Sequence, residues 1–108
     1  MYYRVTATLN AELALDFLQK LTDGTVKTQR PDGGEIVDSM NRAVIADNCE
    51  VRFSSMCFCS TPLAHERATV YDMHFTEMKI EAIDGYQSFD GRPFMDHLRA
   101  LEANELQQ

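Results

Sequence analysis

Residues 2–9 alternate, with Tyr3, Val5, Ala7 and Leu9 in one phase and Tyr2, Arg4, Thr6 and Thr8 in the other. A period of two sends the sets to opposite faces and predicts a half-buried strand. From residue 11 to 22 the period changes: Leu13, Ala14, Phe17, Leu18 and Leu21 form the stripe of an amphipathic helix. Asn10 suits its N-cap, and Asp23-Gly24 suits its end, because glycine accepts the left-handed conformation there. Residues 25–34, with Pro31 and Gly33-Gly34, read as a loop. Ile36, Val37, Met40, Ala43 and Val44 restore the helical spacing and predict a second helix over 35–46.

The second half carries phase faults. Cys49, Val51 and Phe53 share one strand phase, whereas Met56 and Phe58 share the other. An extra residue near Ser54-Ser55, a β-bulge, would bury both sets and is the preferred reading of a strand over 49–58. Without it, Cys57 and Cys59 stay in phase with Val51 and Phe53, and Met56 and Phe58 face out. Thr61-Pro62 predicts the start of a short helical turn. Thr69, Tyr71, Met73 and Phe75 then alternate against Val70, Asp72 and His74 as a strand. The phase changes at Thr76-Glu77, and Met78, Ile80 and Ala82 continue as a second strand or the rest of a bent one. Gly85 and Asp90-Gly91 mark turns. Pro93 opens a last helix with Phe94, Met95, Leu98 and Leu101 at helical spacing.

The predicted order is β-α-α-β-(short helix)-β-β-α. Strands with one apolar face imply an α+β, two-layer sandwich: a mostly antiparallel sheet of about four strands with helices on one face. Nothing divides the chain, so residues 1–108 read as one domain. The other sheet face, with Tyr2, Arg4, Val70 and His74, is left for solvent or a second copy, which suggests a homodimer.

Composition narrows the function. The net charge is −7 and 44% of residues are hydrophobic. That is too apolar for a disordered acidic tail. It is too acidic for nucleic acid or an anionic membrane surface, which need Lys and Arg. No run approaches the ~18 apolar residues of a membrane span, and Met1–Thr6 lack the pattern of a secretory leader. Three cysteines, two of them one residue apart, make a poor disulfide framework and suit a reducing cytoplasm. Residues 55–108 hold nine acidic and four basic side chains, and residues 1–54 eight and six, so the C-terminal half is the more acidic.

The densest chemistry lies from Cys57 to Arg67. Cys57, Cys59, His65, Glu66 and Arg67 are the candidate catalytic residues. A thiol nucleophile needs a base or cation, which His65 or Arg67 would supply. Cys57, Cys59 and His65 are also the candidate metal ligands, with Cys49 or His74 as a fourth, since thiolate and imidazole suit zinc. Cys-x-Cys is tighter than the Cys-x₂₋₄-Cys of zinc turns, however. His65-Glu66 lacks the second imidazole of His-Glu-x-x-His, because residue 69 is Thr. The plainer reading makes both thiols packed apolar groups and His65-Glu66-Arg67 a solvated cluster, and on spacing alone no metal and no cofactor is expected.

Lys27, Arg30, Gly33 and Gly34 precede a helix and are candidates for an anion or other small ligand. Asp32 and Glu35 oppose that, and no phosphate-loop motif is present. Asp72 and His74, as i and i+2 on a strand, would make an acid–base pair. Tyr86, Phe89 and Phe94 read as anchors of the last helix. No catalytic signature emerges. The expectation is therefore a non-catalytic interaction or regulatory module in the cytoplasm that homodimerises through the open sheet face. The alternative is a small enzyme or a ligand- or metal-binding domain built on Cys57–Arg67.

Overall fold

The computed structural model describes residues 1–106, so the last two residues of the expected 1–108 domain lie outside the described residues. Strand β1 runs over Tyr2–Leu9. A 3₁₀ turn at Ala11–Leu13 leads into helix α1, Ala14–Thr22, and the Asn10 side chain caps the turn by accepting from the Glu12 N–H at 3.2 Å. Gly24, at φ +92°, lets the chain turn away. Helix α2 is Gly33–Arg42, followed by the two-residue strand β2, Val44–Ile45. Strand β3 is Glu50–Met56. A continuous helical segment follows: α3, Ala64–Glu66; a π-helical turn, Arg67–Tyr71; and α4, Asp72–His74. Strand β4 is Phe75–Ile83, β5 is Arg92–Pro93, and α5 is Phe94–Leu106.

The fold is α+β. All strand pairs are antiparallel, in the order β4-β1-β3-β2-β5. The inner face of the sheet carries Tyr3, Val5, Ala7 and Leu9 from β1, with Val51 and Phe53 from β3. Against it lie the apolar stripes of α1 (Phe17, Leu18, Leu21), α2 (Ile36, Met40) and α5 (Phe94, Leu98). Aromatic rings tie these layers together. Phe17 stands edge-on to Phe75 at 5.6 Å, and Phe53 meets Tyr71 at 5.3 Å. Such pairs add roughly 0.5–1.5 kcal/mol each beyond the area they bury.

Four expectations are corrected. First, β1 and β3 pair without interruption from Tyr2↔Met56 to Thr8↔Glu50, so β3 has no bulge. The phase of Val51 and Phe53 runs on to buried Ser55 and Cys57, and Phe58 is 87% exposed. Second, α2 ends at Arg42. Ala43 is extended, and the β-branched pair Val44-Ile45 joins the edge of β3. Third, residues 69–74 are helical. Val70, Tyr71 and His74 are buried at helical spacing, which the alternation of Thr69, Tyr71 and Met73 masks. Val70 and His74 are therefore core residues and not part of the open face, and Asp72 is not beside His74 on a strand. Fourth, Thr61-Pro62 does open a turn, closed by the Ala64 N–H on the Thr61 carbonyl at 3.1 Å, but left-handed Leu63 makes it non-helical and the helical segment starts at Ala64.

The phase change at Thr76-Glu77 is a bulge in one strand. Thr6 pairs with Lys79 and Thr8 with Thr76, so Glu77 and Met78 together oppose Ala7, and Glu77 takes φ +52°. The two-residue strands β2 and β5 bring the sheet to five.

Candidate metal centre

Three chain segments meet beside the exit of β3. The first is that exit. Met1 and Cys57 exchange a backbone bond, with the Cys57 N–H donating to the Met1 carbonyl at 2.9 Å, so residue 57 still sits on the ladder. Extended backbone sends residues i and i+2 the same way. Cys57 and Cys59 therefore face one side, Phe58 the other, and the Cys59 N–H points to the Cys57 Sγ at 3.2 Å.

The second segment is the start of α3. Leu63 is fully buried at φ +56°, a left-handed conformation that a branched residue adopts at a cost of about 1–3 kcal/mol. The bend aims Ala64-His65-Glu66 back at the thiols. The Cys59 thiol donates to Glu66 Oε1 at 3.4 Å.

The third segment is the turn before α2. Gly33 is packed so closely that a Cβ there would lie 2.1 Å from the Val26 carbonyl oxygen. The Gly33 N–H also donates to the Gln29 carbonyl at 2.9 Å. This fit sets Asp32 opposite α3, where its Oδ2 meets His65 Nδ1 at 2.7 Å.

Two overlapping donor sets result. Cys57, Cys59 and Glu66 offer ligand atoms all within 4.8 Å of one another, and so do Asp32, His65 and Glu66. Glu66 is the shared member. It is 1% exposed, its Oε2 has no hydrogen-bond partner, and no cation pairs with it among the described residues. Asp32 Oδ1 is likewise buried without a partner. Glu35 nearby shows the contrast: it accepts from Tyr86, from Ser39 at 3.0 Å and from Arg42 at 3.1 Å. A buried carboxylate left without a cation or full hydrogen bonding costs several kcal/mol.

Burial pushes the Cys57 thiol up to about 12, with the Cys59 and Glu66 side chains adding to the rise. Tyr71, wholly buried behind the site, is pushed well above its ordinary value by burial and then by the charge of Glu66. A thiol held this high is a poor free nucleophile, because the thiolate is the reactive form.

The cluster opens on a groove of about 320 Å³, walled by Pro31, Met56 and Phe58 with Cys57, Cys59 and Glu66 at its floor. A larger concavity of about 580 Å³ lies on the open sheet face. Four of its charges are paired, Arg4 with Glu81 and Arg52 with Glu50, Lys79 stands beside them, and it holds no buried donor cluster among the described residues.

Of the candidates named from sequence, Cys57, Cys59 and Glu66 converge, whereas His65 joins Asp32 and Glu66 and shares no donor set with the thiols it was expected to serve as base or fellow ligand. Arg67 turns away to Asp72 at 2.9 Å. Cys49 belongs to neither donor set, and His74 is buried against Phe17 with its Nε2 3.2 Å from Asp16. Lys27 and Arg30 are exposed, and Gly33 and Gly34 begin α2. Asp32 is the residue that sequence reasoning did not place in the site. Its only signal was a carboxylate just before a helix that follows two loop turns. No protein-family model, curated protein or solved structure matches this chain.

Proposed function

We propose that this chain is a small metal-binding domain in which Cys57, Cys59 and Glu66 hold a thiophilic divalent ion, Zn²⁺ foremost. The observation that carries the reading is Glu66, a buried carboxylate with one oxygen unpartnered and the other meeting only a thiol. Donors bound to zinc at about 2.0–2.3 Å lie about 3.5 Å apart at tetrahedral geometry. The Cys59–Glu66 contact of 3.4 Å already has that length. An ion would neutralise the buried Glu66 carboxylate and displace the thiol protons, as metals do on binding cysteine. Two sulfurs favour zinc over magnesium or calcium, which prefer oxygen alone. Three protein donors leave a fourth position facing the groove, the arrangement of sites that bind a further ligand. The reading suits a cytoplasmic setting, since all three cysteines are free.

Thermal unfolding with and without Zn²⁺ tests this. At free zinc 100-fold above the dissociation constant, binding to the folded state adds about 2.7 kcal/mol. For a domain of this size that raises Tm by about 10–20 °C. The C57S and C59S variants are expected to lose most of the rise. An unchanged Tm in the wild type at millimolar zinc would remove the proposal.

A further inference from the structure

We infer that Asp32, His65 and Glu66 form a second divalent-cation position, sharing the Glu66 carboxylate with the thiolate position proposed above. The inference rests on that reading only through Glu66. Its own support is a separate donor set, with ligand atoms within 4.8 Å of one another, and a second buried oxygen without a partner, Asp32 Oδ1.

The chemistry of the two sets differs. Cys57 and Cys59 make the first position soft. One imidazole and two carboxylates make the second harder, a set that zinc, manganese or iron accepts. Glu66 has two oxygens and belongs to both sets, which is the role of a bridging carboxylate. Paired ions in such centres stand about 3.5–4 Å apart.

Charge favours the pair. Metal binding displaces thiol protons, so bound Cys57, Cys59, Glu66 and Asp32 would present four negative donors, which two divalent ions balance and one does not. The 2.7 Å contact between His65 Nδ1 and Asp32 Oδ2 is close to what such an ion needs. Donors held about 2.1 Å from one ion sit about 3–3.4 Å apart, so the contact opens by less than 1 Å. The groove at the floor of which Asp32 and Glu66 lie leaves both positions open on one side.

Native mass spectrometry and calorimetry with Zn²⁺ alone decide the point, on folded protein checked by circular dichroism. The wild type is expected to hold two ions, the C57S/C59S double variant one, and the D32N/H65Q double variant one. Each variant loses at least about tenfold in affinity at the altered position. One ion in the wild type, undisturbed in D32N/H65Q and absent in C57S/C59S, overturns the second position and leaves the first standing. One ion retained in C57S/C59S and lost in D32N/H65Q supports the second position and overturns the thiolate reading. No ion in any form overturns both. If a variant fails to fold, X-ray absorption at the zinc edge of the loaded wild type gives the answer. Two ions show a mixed shell, with sulfur near 2.3 Å and nitrogen and oxygen near 2.0–2.1 Å, averaging one sulfur per zinc. Two sulfurs per zinc overturns the inference.

Discussion

At the scale of single residues, exposure separates Phe58 from Phe53. The two sit five positions apart near one strand, yet Phe53 is 1% exposed and Phe58 87%. Phe53→Ala is expected to cost about 3–5 kcal/mol, the usual loss for a buried ring. Phe58→Ser should change stability by no more than about 0.5 kcal/mol. Urea unfolding of the two variants checks the register of β3 directly, because a bulge at Ser54-Ser55 would bury Phe58 as well and make both substitutions costly. The sequence carried both phases, and burying the larger residues favoured the wrong one. What decides is the partner strand: an unbroken β1 ladder holds β3 in one phase through Cys57. The same phase brings both thiols to one side. The site was thus half legible, in the i and i+2 spacing of Cys57 and Cys59. Glu66 and Asp32 were not, since they arrive through the left-handed turn at Leu63 and the packing of Gly33.

At the scale of elements, long periodic segments declared themselves and short ones did not. Strand β1 and helix α1 follow directly from Tyr3–Leu9 and Leu13–Leu21. Strands β2 and β5, two residues each, are too short for a period and form only because a neighbour offers an edge, β3 to β2 and β2 in turn to β5. Residues 69–74 fit both a strand and a helix over so short a run, and burial of Val70, Tyr71 and His74 against the core resolves them as helix. The start of α2 yields a prediction. Gly33→Ala places a methyl against the Val26 carbonyl and should destabilise by at least about 2–3 kcal/mol, read from chemical denaturation. Gly34→Ala, with nothing within 4 Å of its Cβ, serves as the control and should be close to neutral. Helix α5 yields another. Burial, and then the charge of Arg92, hold His97 below its ordinary value of 6.5. The unfolded chain therefore takes up that proton first as pH falls through 6.5, and stability drops until the folded imidazole is protonated too. The His97→Gln variant should show a flatter dependence of unfolding free energy between pH 7 and the folded value. An identical slope would remove His97 as its source.

At the scale of the whole molecule, one sheet face is covered and the other is polar. The outer face is a ladder of paired charges, Arg4–Glu81 and Arg52–Glu50, beside Thr6, Thr8 and Lys79. A second copy on this face would have to desolvate those pairs. The residues at 84–91 wrap its rim: Tyr86 stacks edge-on with Tyr2 at 5.0 Å, and Gln87 binds Ser54. Among the described residues no helix is long and apolar enough to cross a membrane. The net charge of −7 first argued only against nucleic acid and anionic lipid. In the fold, two of the acidic side chains, Asp32 and Glu66, lie together beside the thiols, and the proposed ion would neutralise them. Substituting Co²⁺ for Zn²⁺ tests this most directly, because a thiolate bound to cobalt gives a charge-transfer absorption that no free ion or carboxylate site gives. The band is expected in the wild type, lost in C57S/C59S and weakened in E66Q. Cobalt bound without the band, or a band unchanged in C57S/C59S, would contradict the thiolate position.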